Sequence, residues 1–332
     1  MSGADHASRL IGVLLGVSVA LTGCSAAEPL PDVPRLGVRP IAPGEVGVLP
    51  DSGPLQFRAG FVLSSDDPRF GGFSGVWLAP DGAELLVVSD RPSFWRFRLH
   101  TDPAGRLFDV EPIGVRVPSD TGSSWDAEAL APLPDGVIAV AHEGDNRVEH
   151  RSLDGLDLLA TSPLPAVLDA ERNTGVEALA TLPDGRLLAL SEGIRGDDGD
   201  VLGWILDGDR AEQLTYVASG GFVPTGATVL AGDLFVVERS FSLVQGGFAA
   251  RVVALPVDDV RPRARLEGRQ LIRLGPNFSD NFEAIEAREA PGGGPILLYL
   301  MTDDNQTPLQ RSLLLQFAIE RQDLAQAVAG TG

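Results

Sequence analysis

The chain has 332 residues, 44% of them hydrophobic and 22% charged, a balance that supports a packed core and excludes global disorder. Its net charge of −20 comes from 46 acidic residues against 26 basic ones. That acidity argues against nucleic-acid and anionic-membrane partners, and the absence of lysine, every basic residue being arginine, removes Schiff-base and P-loop chemistry.

The first element is an address. Leu10 to Leu21 is a 12-residue apolar run after Arg9, too short for a stable membrane span and the right length for a secretory signal. It ends in Leu21-Thr22-Gly23-Cys24, which resembles a bacterial lipobox, and Cys24 is the only cysteine of the chain. The sequence therefore predicts a signal peptide over 1–23 and lipidation of Cys24, with two or more acyl chains giving stable attachment. Ser25 after the cysteine suggests sorting to the outer membrane, so the expected location is the bacterial cell envelope, facing periplasm or exterior. Residues 24–54 are rich in Pro and Gly and read as a tether. The globular domain is expected over 55–320, and 321–332 as a weakly helical, fraying tail.

A repeat runs through the domain. Five segments share one grammar: 73–91, 126–147, 175–195, 225–241 and 281–305. Each opens on a Gly or Glu before a short apolar strand, turns through a Pro-Asp-Gly or Gly-rich segment, and returns as a second apolar strand ending in an acid. Pro80-Asp81-Gly82, Pro134-Asp135-Gly136 and Pro183-Asp184-Gly185 are three copies of one turn, in which Pro presets φ, Asp bonds its own backbone and Gly supplies positive φ. The runs after these turns (LLVVS, VIAVA, LLALS) suit strands covered on both faces. Spacings of 54, 49, 49 and 57 residues separate Ser74, Glu128, Glu177, Gly226 and Glu283. That period fits one four-stranded blade, so the predicted fold is an all-β propeller of five blades, with six as the alternative if 99–124 forms another. A strand near 57–63 is expected to close the sheet that ends with 313–319, which removes open edges.

In such a blade the start of the first strand and the end of the second lie at one face. Glu128, Glu177 and Glu283 are thus expected to ring one mouth of the channel, with Asp90, Glu143, Glu192, Glu238 and Asp304 further out. Clustered carboxylates repel unless a cation or protons neutralise them, and all-oxygen clusters suit Ca²⁺, with Mg²⁺ as the alternative. The predicted metal ligands are Glu128, Glu177, Glu283 and Asp303. Arginines follow several outer acids (Arg91, Arg239, Arg311) and read either as rim ion pairs or as forks for an anionic group. His142 beside Glu143 is a candidate substrate contact. The chain has no GxSxG, HExxH or GxGxxG motif.

The strings FSGVWLAPDG, DAEALAPLPDG, GVEALATLPDGRLLALSEG, VVERSF and DNFEAIEA…TDDN…QRSLLLQF resemble the family named for the "esterase-like activity of phytase", over roughly 57–317. The resemblance implies a propeller-like fold and phosphoester or ester hydrolysis. Its motifs fall on Glu128, Glu177, Glu238, Arg239, Asn281, Glu283, Asp303, Asp304 and Asn305. The expected catalytic set is Glu192, Glu238, Arg239, Asp304 and Arg91, with Asn281, Asn305, Arg311 and His142 binding a small anionic or ester substrate. A lactonase-type hydrolase is a variant. The other reading is a non-catalytic lipoprotein that binds a ligand or envelope protein on the same face. The chain is expected to be a monomer that meets the membrane through its lipid anchor only.

Overall fold

The computed structural model describes residues 32–48, 52–121, 125–144, 146–165, 175–244 and 246–329. The signal peptide and Cys24 lie outside them. Two strands, β1 (Gly37–Pro40) and β2 (Gln56–Ser64), precede the first repeat. Blade I is β3 (Phe73–Leu78), β4 (Glu84–Ser89), β5 (Phe94–Thr101) and β6 (Leu107–Arg116). Blade II is β7 (Ala127–Leu133), β8 (Val137–His142), β9 (Arg147–Ser152) and β10 (Leu158–Pro163). Blade III is β11 (Val176–Thr181), β12 (Leu187–Arg195), β13 (Val201–Asp207) and β14 (Arg210–Tyr216). Blade IV is β15 (Val223–Leu230), β16 (Asp233–Ser242), β17 (Gly247–Pro256) and β19 (Arg269–Ser279); the short β18 (Arg265–Leu266) leaves it to pair in parallel with β14. Blade V runs β20 (Asn281–Glu289), β21 (Ile296–Asp303), β22 (Ser312–Ile319), then β2 and β1.

These are the five blades that the repeat predicts, each beginning its inner strand at the expected place. The stretch 99–124 is not a sixth blade: β5 and β6 are the outer strands of blade I. The Pro-Asp-Gly turns form as their residues dictate, with Gly82, Gly136 and Gly185 at φ of +72°, +70° and +87°. Asp81 and Asp184 each accept the backbone N–H two residues on, at 2.9 and 3.1 Å.

The ring closes where β2, from the start of the chain, pairs antiparallel with β22, Phe57 opposite Phe317 and Leu63 opposite Ser312. Part of the expected tether belongs to the fold, since β1 adds to β2 with Gly37 opposite Ser64. The expected fraying tail is instead the helix α1 (Arg321–Ala329), whose Leu324 is buried against β17, β19 and their neighbours. The described residues form no central core. Each pair of adjacent blades encloses its own apolar cluster, built from the continuous runs that look to both faces of each sheet. The inner strands β3, β7, β11, β15 and β20 line a channel pinched by Val76, Leu130, Leu179, Ala227 and Ile285 to a cavity of about 10 Å³, room for about one water.

Candidate functional site at the channel mouth

Every inner strand starts with a β-bulge, and the bulged residue is the one the repeat singles out. The register skips Ser74 between Phe73↔Ser89 and Gly75↔Val88. It skips Glu128 in blade II, Glu177 in blade III, Thr225 in blade IV and Glu283 in blade V in the same way. A bulge re-aims the extra side chain, here into the mouth. The residue just past each paired partner forms a second ring: Asp90, Glu143, Glu192, Arg239 and Asp303. A third lies two residues before the bulge: Gly72, Asp126, Gly175, Val223 and Asn281. Backbone N–H groups of Asp90, Glu143 and Glu192 donate to the carbonyls of Gly72, Asp126 and Gly175, which ties the second and third rings together.

This register corrects two positions. In blade IV, Thr225 and not Gly226 occupies the inner ring, and Arg239 and not Glu238 the outer one. In blade V the outer-ring acid is Asp303, not Asp304. Glu238 points the other way, into the interface with blade III, where it accepts from Tyr216 Oη and Arg251 Nε and is 1% exposed. Asp304 instead fastens a turn, accepting from Gln306 N at 2.9 Å and Ser312 Oγ at 3.0 Å. His142 is fully buried behind the mouth, its Nε2 3.1 Å from Glu149 Oε2, so it cannot touch a substrate there. Despite burial, His142, Arg147 and Arg151 hold Glu149 down at about 2. Arg91 donates to the Pro68 carbonyl at 2.6 Å, and Arg311 is engaged by Asp280 at 2.8 Å. Asn305 is an exposed turn residue whose N–H donates to Asp303 Oδ1 at 2.8 Å.

The hydroxyls of the inner ring face neighbouring backbone. Ser74 Oγ donates to the Ala127 carbonyl and Thr225 Oγ1 to that of Phe282 at 2.7 Å, each just before the acid of the next blade. Three carboxylates remain, and they differ. Glu283 is held by Arg239 Nη1 at 2.8 Å and by Asn281 Nδ2 at 2.6 Å, both on Oε1, while its buried Oε2 has no hydrogen-bond partner. Arg239 also reaches Glu192 at 2.7 Å and donates to Asn281 Oδ1. Burial opposes its charge, and Glu283, Glu192 and Glu177 more than offset that, so it stays cationic. No described residue donates a hydrogen bond to the Glu128 or Glu177 side chain.

Burial, then mutual repulsion, raises the acids. Glu128 is pushed well above the usual carboxylate range by burial and by Glu177, Asp126, Glu283 and Glu143. Glu177 rises for the same reasons, with Glu283 and Glu192 as its main repulsive neighbours. Burial takes Glu283 to about 8 in spite of Arg239, and Asp303 to about 7 in spite of the Asn305 N–H. Glu143 rises as well, through burial, although it accepts from Gly175 N at 2.9 Å.

The mouth thus has two poles. At blade II, one oxygen each of Asp126, Glu128 and Glu143 lie within 4.8 Å of one another, a group that could hold a metal ion. At blade IV the guanidinium of Arg239 supplies fixed positive charge. The expected metal quartet is therefore divided: Glu128 joins Asp126 and Glu143, while Glu283 goes to Arg239 and Asn281. Asp126 is absent from the sequence-based set because its counterparts in the other blades are Gly72, Gly175, Val223 and Asn281, so the repeat carries no signal for it. Glu143 shows in the sequence as an outer acid, with nothing there to separate it from Asp90 or Glu192 as a ligand.

Among solved structures the chain is similar to hydrazine synthase of Kuenenia stuttgartiensis (16% identity, 72% of this chain and 58% of that one, TM-score 0.34). It is also similar to a protein described as a gluconolactonase (15% identity, 86% and 99%, TM-score 0.42). A third is a luciferin-regenerating enzyme (14% identity, 80% and 96%, TM-score 0.41). No curated protein sequence matches. The family model described as "esterase-like activity of phytase" matches residues 68–306, more than two thirds of the chain and every inner strand of the ring. The chain belongs to this Phytase-like family.

Proposed function

We propose that the mouth is the active site of a metal-dependent hydrolase acting on a small phosphoester or carboxylic ester, lactones included. The observation that carries this reading is the convergence of Asp126, Glu128 and Glu143. An all-carboxylate set fits a hard cation, Ca²⁺ before Mg²⁺, and not zinc or copper. The fit is supported by the burial and then the mutual repulsion that raise Glu128, and by a buried Glu283 oxygen with no hydrogen-bond partner among the described residues across the same mouth. When bound, the ion would polarise the ester oxygen and acidify a water.

The chain's own groups divide the remaining work. Glu177 stands on the blade between the two poles, buried and without a donor among the described residues. Burial and the neighbouring Glu283 and Glu192 raise its carboxyl, which suits it to exchange a proton with the substrate. Arg239, locked by Glu283, Glu192 and Asn281, offers positive charge to the anion that develops on the substrate. Asn281 holds Glu283 and Arg239 in register. The narrow channel behind the mouth keeps substrate at the rim, so small or protruding ester groups are favoured.

Calorimetric titration with Ca²⁺ and Mg²⁺, beside hydrolysis of a phosphomonoester, a carboxylic ester and a lactone panel, tests this. Glu128→Gln is expected to weaken cation binding at least tenfold. Glu177→Gln should retain binding and lose activity on the order of a hundredfold, the usual scale of a lost acid–base group. Full turnover in excess chelator would sink the metal reading. Cation binding with no turnover on any panel member would assign the site to ligand binding instead.

We also propose that the protein is a cell-envelope lipoprotein anchored at Cys24. The Leu10–Leu21 run and the Leu-Thr-Gly-Cys sequence support it. Cys24→Ser is expected to abolish incorporation of labelled palmitate into the protein; unchanged labelling of the variant would refute the anchor.

A further inference from the structure

The most exposed large apolar side chains of the described residues share one side of the ring. Val244 is 98% exposed, Leu309 90% and Leu243 85%. Leu243 and Val244 lie beyond the end of β16, four and five residues past Arg239, and Leu309 lies in the turn between β21 and β22, past Asp303. Both turns therefore project from the mouth, on the adjacent blades IV and V. The first has a stiff base, since Phe241 packs on Phe248 across the hairpin at a ring separation of 4.9 Å. Soluble surfaces expose single apolar residues routinely, but the three extremes on one rim mark a contact surface.

The start of the described chain lies on the same side. Gly37 pairs with Ser64 at the mouth end of β2, and Asp32 is pinned to that rim by Arg69 at 2.6 Å and by Val115 N–H at 3.0 Å. Cys24 is only eight residues earlier, a reach of at most ~28 Å fully extended. An acyl group on Cys24 would therefore tether the rim at Asp32 to within ~28 Å of the bilayer.

We propose that the mouth-side rim, led by Leu243, Val244 and Leu309, docks on a lipid bilayer of net-neutral headgroups. The orientation rests on the Cys24 reading above; the apolar tips stand without it. Apolar insertion supplies the attraction, because the ring of acids at this face and a net charge of −20 repel anionic lipid. Docked this way, the acidic mouth opens onto the interfacial layer, and esters of membrane-associated molecules reach it without crossing bulk water.

The test uses the chain from Ser25 onward, which keeps every described residue and lacks both the apolar Leu10–Leu21 run and Cys24, so it has no anchor and no thiol. Flotation with phosphatidylcholine vesicles is expected to carry it up, and Leu243→Asp with Val244→Asp to reduce that at least tenfold without lowering the melting temperature. Replacing a third of the lipid by phosphatidylglycerol should weaken binding further. In the same background, a dye on Val244→Cys should shift to the blue with vesicles, and one on Leu159→Cys, at the opposite end of blade II, should not. Equal flotation of the Asp variant, equal shifts at both positions, or self-association without vesicle binding would each overturn the proposal.

Discussion

Glu286 separates the cost of burial from the chemistry of the mouth. It is enclosed on β20 with Thr228 Oγ1 at 3.2 Å and the Ala287 N–H at 3.1 Å as donors, and burial raises its carboxyl to about 8 from an ordinary 4.5. A carboxyl raised on folding keeps a proton that the unfolded chain releases, so stability is full below about pH 4.5 and is lost progressively up to about pH 8. Glu286→Gln, a copy of the protonated form, is therefore expected to melt like the parent at pH 4.5 and several degrees higher at pH 8. A lower melting temperature at both would show an ionised Glu286 in the fold. Arg239 has the opposite sign. Arg239→Met leaves Glu192 and Glu283 with no cation, a change that typically costs about 3–5 kcal/mol in a buried pair. Protons can replace the guanidinium on Glu283, so denaturant unfolding should show a smaller loss at pH 5 than at pH 8.

At the scale of the element, the bulge decides which side chains meet. The blades, their turns and the three inner glutamates are legible in the sequence because Pro-Asp-Gly turns and a steady spacing of about 50 residues are local signals. The register of blade IV is not. Its bulged residue is Thr225, with no charge to mark it, and the following Glu238 resembles the outer acids of other blades. A slip of one residue moves a strand's side chains to the opposite face. That single step sends Glu238 toward blade III, where it accepts from Tyr216 and pairs with Arg251 of its own blade, and brings Arg239 to the mouth. Just inside the bulges the inner strands carry only Gly or Ala (Gly75, Ala129, Ala178, Gly226 and Ala284), which lets five strands converge. A Cβ on Gly226 would lie 2.6 Å from the Glu283 carbonyl oxygen, and one on Gly75 2.7 Å from Leu130 N, both backbone atoms with little room to yield. Gly226→Ala is expected to destabilise by about 1–3 kcal/mol in denaturant unfolding and to widen the spacing of blades IV and V. An unchanged midpoint would mean that the strands separate freely.

The described domain is a ring of five interfaces, so its integrity depends on each wedge and on the joint between its first and last strands. α1 reinforces the blade IV–V wedge, and Leu324→Ala should cost about 2–4 kcal/mol, an effect read from urea unfolding. If α1 only rested on the surface, the midpoint would not move. The joint itself sets an order of events during synthesis. β2 is made near the beginning, yet its partner β22 is the last strand to appear, with Phe57 waiting for Phe317. Blades I to IV can each pair their strands as they emerge, while β2 keeps a long, largely apolar edge without a partner until the end. A chain cut short before residue 312 retains the family's entire matched region and all three mouth glutamates but exposes that edge. Closure thus works as a length check: aggregation and proteolysis should fall on incomplete chains, whose mouth residues are all present, and spare only those that reach the final strand.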